Sequence, residues 1–157
     1  MSALVLEITS EYEIERGKPL PSFNHGIIQA NLGAQFMKNE GYRVVSELTL
    51  ELDEPPHAVP DLCVYPRRPL DLLRDQIRVT AAPLLIVEIL SPTQGTFEVM
   101  RRLDRYFEHG VKSCWIVEPT SHTVTIRTAD GGETIAHEGV VTDPATGISA
   151  DLGAVFS

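Results

Sequence analysis

The order of apolar and polar positions divides the chain into recognisable elements. From His25 to Asn39, Ile28, Leu32 and Phe36 recur every fourth position as a helix face does, and Gly41 stands just beyond as a stop. Ser22 and Asn24 are good N-caps, so the helix is expected to start near them, after an irregular arm over residues 1–24 that holds acids, Pro19, Pro21 and little periodicity. His25 and Gln29 fall on the same side as the apolar stripe, so two polar side chains point inward. Arg43 to Leu52 alternates, with Val44, Leu48, Leu50 and Leu52 on one parity and Val45, Glu47, Thr49 and Glu51 on the other, which predicts a half-buried strand with Glu47 on its mixed polar face.

Asp53, Glu54, Pro55 and Pro56 then make a turn. Ala58 to Tyr65 predicts the next strand, in which Asp61 shares its side with Val59, Cys63 and Tyr65, while Pro60 limits the strand to its beginning or an edge and Pro66 ends it. The polar stretch from Arg67 to Ala82 is expected to be an insertion or mobile loop, with a short helix around Leu70 to Ile77. Leu84 to Leu90 is a continuous apolar run of the kind buried on both faces, interrupted only by Glu88 and stopped by Ser91 and Pro92. Thr96 can cap a helix whose positions Val99, Met100, Leu103, Tyr106 and Phe107 form one face, with Gly110 at its stop. A strand from Ser113 to Val117 and a hairpin of Val124 to Thr128 and Glu133 to His137, turned through Asp130, Gly131 and Gly132, complete the order. That order implies an α/β domain with a mixed sheet and helices packed on it.

The 157 residues suit one domain, and 43% hydrophobic residues suffice for a core. The net charge of −9 sets the surface as a whole against nucleic acid and anionic membrane, so any contact with DNA must be local. The charge is unevenly spread: residues 1–66 carry 4 bases and 10 acids, residues 67–112 carry 8 and 6, and residues 113–157 carry 1 and 6. Only the middle is net positive. No apolar run reaches membrane-span length, and the acidic start lacks the features of a secretory or mitochondrial leader, so a soluble cytoplasmic protein is expected. Cys63 and Cys114 lie 51 residues apart inside apolar runs, as packed thiols rather than a disulfide framework or zinc site. There is no phosphate loop of the GxxxxGK or GxGxxG kind.

Glu88 is the most informative position, because a carboxylate inside a fully apolar strand is costly unless something pairs with it or binds it. It reads either as a structural ion pair with a nearby arginine or as a metal ligand or catalytic acid. Asp61, near the start of another strand, can form an Asx turn after Pro60 or join Glu88 around a hard divalent cation. Arg102 lies at the border of the buried face of its helix, where it can lean toward the sheet and stabilise a phosphate or simply cover the helix flank, whereas Arg101 and Arg105 project to solvent. His25 and Gln29 either complete a pocket or bond within the core, and Glu47 fits a solvated position. His57, His109, His122 and His137 show no metal-ligand spacing, and Ser91 has no His partner in its sequence context, so a serine hydrolase is unsupported.

The segments YEIERGKPLPSFNH, VPDLCVYP, LLIVEILSPTQ and RRLDRYFEHGVKSCWIVEP together resemble the Uma family of restriction-endonuclease-like proteins, within the PD-(D/E)XK nuclease superfamily. The resemblance runs from about Tyr12 to Pro119. It implies a restriction-endonuclease-like mixed β-sheet flanked by α-helices, an acidic metal site and phosphodiester hydrolysis. By position Asp61 matches the Asp of the PD motif and Glu88 the acid of the (D/E)XK motif. Leu90 stands where that motif has Lys; the resemblance moves the lysine to the following helix, four residues before a Tyr, and here Arg102 stands four before Tyr106. Arg keeps the charge but does not readily deprotonate.

The implied function is a nuclease acting on DNA, with Asp61 and Glu88 holding Mg²⁺ or Mn²⁺, the Ile89 carbonyl as a further ligand and Arg102 beside the phosphate. The alternative from a different class is a catalytically inactive interaction protein that keeps the nuclease fold, with Arg102 paired to Glu88. A homodimer is also expected, built through the β-rich region 119–157 with Val124, Ile126 and Ile135 at its contact.

Overall fold

The computed structural model describes Arg16, residues 18–91 and residues 96–157, so the expected arm over residues 1–24 lies largely outside the described residues. The helix α1 (Phe23–Phe36) starts where the caps predict: the Ser22 hydroxyl accepts from the His25 amide at 3.1 Å. It is followed by β1 (Tyr42–Ser46), β2 (Thr49–Leu50), β3 (Leu62–Pro66), β4 (Arg78–Val79), β5 (Leu85–Ile89), α2 (Thr96–Glu108) and β6 (Ser113–Glu118). A 3₁₀ turn (Pro119–Ser121), β7 (Thr123–Thr128), β8 (Glu133–Ala136), β9 (Val140–Thr142), β10 (Ser149–Asp151) and α3 (Leu152–Val155) complete the chain.

Six strands form one mixed sheet in the order β1-β3-β5-β6-β7-β8. Only β5 and β6 run parallel, and α2 is the crossover between them, as a parallel neighbour requires. Because side chains alternate across a strand, the sheet divides its apolar residues between two faces. Leu62, Val64, Leu85, Val87, Ile89, Trp115, Val117, Val124 and Ile126 pack against Ile28, Leu32 and Phe36 of α1 and against the C-terminal segment. Cys63, Ile86, Cys114 and Ile116 face α2 through Val99, Leu103 and Tyr106. Cys63 and Cys114 are buried free thiols, as expected.

Three expectations about elements need correction. The strand over Arg43–Leu52 is broken: Glu47 takes a positive φ of 52°, so the chain leaves the sheet after Ser46 and β2 pairs instead with β4. Val44 therefore packs on the α1 side while Leu48, Leu50 and Leu52 pack on the α2 side, although one alternation would set them on one face. No helix forms over Leu70–Ile77; turns and irregular chain leave Leu70, Leu72, Leu73 and Ile77 exposed, because four apolar residues without a facing layer gain nothing from helical order. Val124 and Ile126 are buried in the protein's own core and cannot build a dimer contact; of the three residues expected there, Ile135 alone is exposed.

Residues 119–157 thus complete the main core. Trp115 meets Phe36 edge-on at 4.9 Å, and its indole N–H donates to Asp143 Oδ1 at 3.0 Å. Asp143 Oδ2 accepts from the amide and hydroxyl of Thr146, both at 2.8 Å, which closes the turn before β10. Asp143→Ala leaves a buried indole donor unsatisfied and should lower stability by about 2–3 kcal/mol, read as a reduced urea midpoint at unchanged slope.

Candidate active site

Strand register alone gathers three carboxylates. Ser46 pairs with Leu62 and Leu62 with Val87. Carried one residue further, the same registers set Glu47 opposite Asp61 and Asp61 opposite Glu88. The amide of Glu47 donates to the Asp61 carbonyl at 3.2 Å, and that of Asp61 to the Val87 carbonyl at 3.1 Å. Like charges directly opposite one another destabilise a sheet, and Asp61 and Glu88 are buried at 0% and 2% exposure, so this row stands only with cations between its members.

The cations come from both sides of the sequence. Arg16 grips Glu47 with two nitrogens, Nε to Oε2 at 2.9 Å and Nη2 to Oε1 at 3.1 Å, and Nη2 also reaches Asp61 Oδ1 at 2.6 Å. The Lys18 ammonium joins the two central acids, at 2.9 Å from Asp61 Oδ1 and 3.1 Å from Glu88 Oε2. Arg102 follows, with Nε 3.6 Å from Glu88 Oε1 and Nη1 3.8 Å from Glu98. The result is an alternating ladder of Glu47, Arg16, Asp61, Lys18, Glu88, Arg102 and Glu98.

Further side chains and one backbone amide fix the carboxylates. The Ile89 amide donates to Asp61 Oδ2 at 2.6 Å, His25 Nε2 lies 3.1 Å from Asp61 Oδ1, and the Gln29 amide donates to the Asp61 carbonyl at 3.1 Å. Tyr106 donates its hydroxyl to Glu88 Oε1 at 2.7 Å. Burial acts to raise the Asp61 carboxyl, but the His25 hydrogen bond, the Lys18 charge and the Ile89 amide outweigh it and hold the group at about 2. Burial and the neighbouring Glu88 push the Tyr106 hydroxyl well above its ordinary value, so it stays a donor.

The structure therefore brings Asp61, Glu88, His25, Gln29, Glu47, Tyr106 and Ile89 to one centre, with Arg102 at its border. Ile89 enters through its amide, and Glu47 is an ion-pair partner rather than a solvated side chain. Arg105, expected in solvent, is instead held by Asp53, with His109 Nε2 3.0 Å from the same carboxylate. Sequence reasoning missed Arg16 and Lys18. Their signal was two bases at alternate positions just before Pro19, directly after the acids Glu11, Glu13 and Glu15. Beside the ladder a cavity of about 430 Å³ is lined by Lys18, Glu88, Arg101, Arg102 and Tyr106, among others. Among the described residues no group of three or more His, Cys, Asp and Glu side chains is placed to hold a metal ion.

Stability should follow the Asp61 carboxyl. Its folded value of about 2 lies below the ordinary 3.8, so its contribution of about 2 kcal/mol is complete above 3.8 and is lost as pH falls through about 2. Asp61→Asn should flatten this acid limb in denaturation curves between pH 2 and 5, and should cost about 3 kcal/mol or more at neutral pH, because Arg16 and Lys18 lose their shared carboxylate.

No curated protein matches the sequence. No helix of the described residues is long and apolar enough to cross a membrane. The solved structure of a protein described as a "putative nuclease belonging to DUF820", from Anabaena variabilis ATCC 29413, is similar in fold, with a TM-score of 0.73 at 24% identity over 88% of this chain and 83% of that one. The family model Uma2, described as "Putative restriction endonuclease", matches residues 6–152 and so takes in every member of the ladder. Since that match leaves out only five residues at each end, the chain belongs to the Uma2 family of restriction-endonuclease-like proteins.

Proposed function

We propose that the protein is a divalent-metal-dependent nuclease that hydrolyses phosphodiester bonds of DNA in the cytoplasm, with Asp61 and Glu88 as the carboxylates of its centre. The observation that carries this reading is their convergence: two buried acids on adjacent strands share one cation, the Lys18 ammonium. The donors are hard carboxylate oxygens with a positive charge, the Lys18 ammonium, already between them, which supports a site for Mg²⁺ or Mn²⁺. Asp61 and Glu88 would hold the ion, with the Ile89 carbonyl as a further ligand. Such an ion would lower the pKa of a bound water and polarise a phosphoryl oxygen.

The protein's own groups prepare the rest. His25 and the Ile89 amide orient Asp61, and Tyr106 orients Glu88, so neither carboxylate has to reorganise. Arg102 faces the cavity with Nε and Nη2 buried and without a hydrogen-bond partner among the described residues. Two unsatisfied donors on a planar guanidinium match two oxygens of a phosphate, and their role is electrostatic because Arg stays charged.

One observation favours the other reading, a non-catalytic binding protein on the same fold: the ladder is charge-balanced around Glu88 without any metal. Cleavage assays separate the two. Supercoiled DNA should be nicked in millimolar Mg²⁺ and protected by EDTA, and Asp61→Asn with Glu88→Gln should abolish nicking. Arg102→Met should lower the rate about a hundredfold or more. Wild-type protein that leaves DNA intact in both Mg²⁺ and Mn²⁺ would establish the binding role. For assembly, we place a homodimer contact on the outer strand β8, where Ile135 is exposed; light scattering should give twice 17.3 kDa, and Ile135→Glu should halve it.

A further inference from the structure

We propose that Lys18 and a divalent cation occupy the space between Asp61 and Glu88 in alternation, so that the protein without metal carries its own counter-ion there. This inference rests on the metal-dependent reading above.

Every oxygen of the two acids is already engaged. Asp61 Oδ1 meets Arg16, Lys18 and His25, and Oδ2 meets the Ile89 amide. Glu88 Oε1 accepts from Tyr106, and Oε2 from Lys18. A metal ion that uses both carboxylates must displace a donor, and among the described residues Lys18 is the one side chain that bonds to both. Its ammonium is a compact charge on a four-carbon stem, so rotation of its own bonds removes it. Arg16 lacks that freedom, since its planar fork is also fastened to Glu47. Nor can the two cations share the space, because the ammonium stands at hydrogen-bond distance from both acids and a second positive charge beside it would be unscreened by water. The strand position two after Glu88 does not provide an ammonium: Leu90 stands there and packs with the core on the α2 side. The arm provides it instead.

The chain holds three lysines, of which Lys38 and Lys112 are exposed and Lys18 is buried. Wild-type protein is acetylated with an N-hydroxysuccinimide ester with and without Mn²⁺, each lysine is followed by mass spectrometry, and Mn²⁺ binding is measured by calorimetry on wild type and Lys18→Met. Without metal, Lys18 should react at least about tenfold more slowly than the other two, and Mn²⁺ should raise its rate toward theirs. Lys18→Met should bind Mn²⁺ about tenfold more tightly, a change of about 1.4 kcal/mol. An unchanged Lys18 rate in Mn²⁺-bound protein overturns the alternation, as does equal or weaker binding by Lys18→Met, and in both cases the metal reading stands. Binding by neither protein overturns both. The labelling arm uses wild type alone, so it decides even if the variant does not fold.

Discussion

Three carboxylates in one row across three strand ends set the constraint that the rest of the site answers. Each buried ion loses several kcal/mol of hydration, and neighbours of the same sign add to that cost. The registers of β1, β3 and β5 make the row unavoidable once Glu47, Asp61 and Glu88 occupy those positions. Cations must then enter from elsewhere, and they do so from opposite sides: Arg16 and Lys18 from before α1, Arg102 from the helix that follows β5. The placement of Arg16 and Lys18 and the pitch of α2 over the sheet are therefore tied to the same row of charge.

The division of the sheet into two faces makes that cost bearable. The face toward α1 and the C-terminal segment carries the larger apolar cluster, with Trp115, Phe36, Leu32 and Ile148 fully buried. The face toward α2 carries a smaller cluster, and Glu88 sits at its margin on the same parity as Ile86, with Tyr106 closing over it. Burial on the first face supplies the hydrophobic stabilisation at roughly 25 cal/mol per Å², while the second keeps polar groups at the strand ends. The C-terminal strands belong to this balance, because Val124, Ile126, Ile148 and Val155 fill the first face.

Elements with a strong period were legible in the sequence, and so were the two acids. The α1 stripe, the apolar run of β5 with its single charge, the five apolar positions of α2 and the β7–β8 hairpin all stand as their spacing predicts. Glu88 announced itself because no apolar strand accepts a lone carboxylate. The break at Glu47 was invisible, since its positive φ is imposed by tertiary contacts and a Glu carries no local signal for that conformation. Arg16 and Lys18 escaped for a related reason: no apolar period marks their positions in the sequence, and their side chains take direction from the carboxylates they meet. The helix expected over Leu70–Ile77 failed through the converse error, apolar spacing read without a layer to receive it.

The charge of the whole molecule gives the ladder a further meaning. A net charge of −9 opposes the approach of a polyanion at long range, and the ladder, being nearly balanced, adds little field to overcome it. The balance changes only within a Debye length of the cavity, about 8 Å at physiological salt. There Arg101 and Arg102 project from a helix in the one net-positive third of the sequence. On the proposed reading, the affinity for a DNA strand comes from contacts made at hydrogen-bond distance rather than from a basic surface that gathers it from afar. The Arg102 guanidinium is one such contact, since it lines the cavity and its Nε and Nη2 make no hydrogen bond among the described residues. On that reading a phosphate gains most where it stands next to Arg102, and the acidity of the surrounding surface discourages it from resting anywhere else.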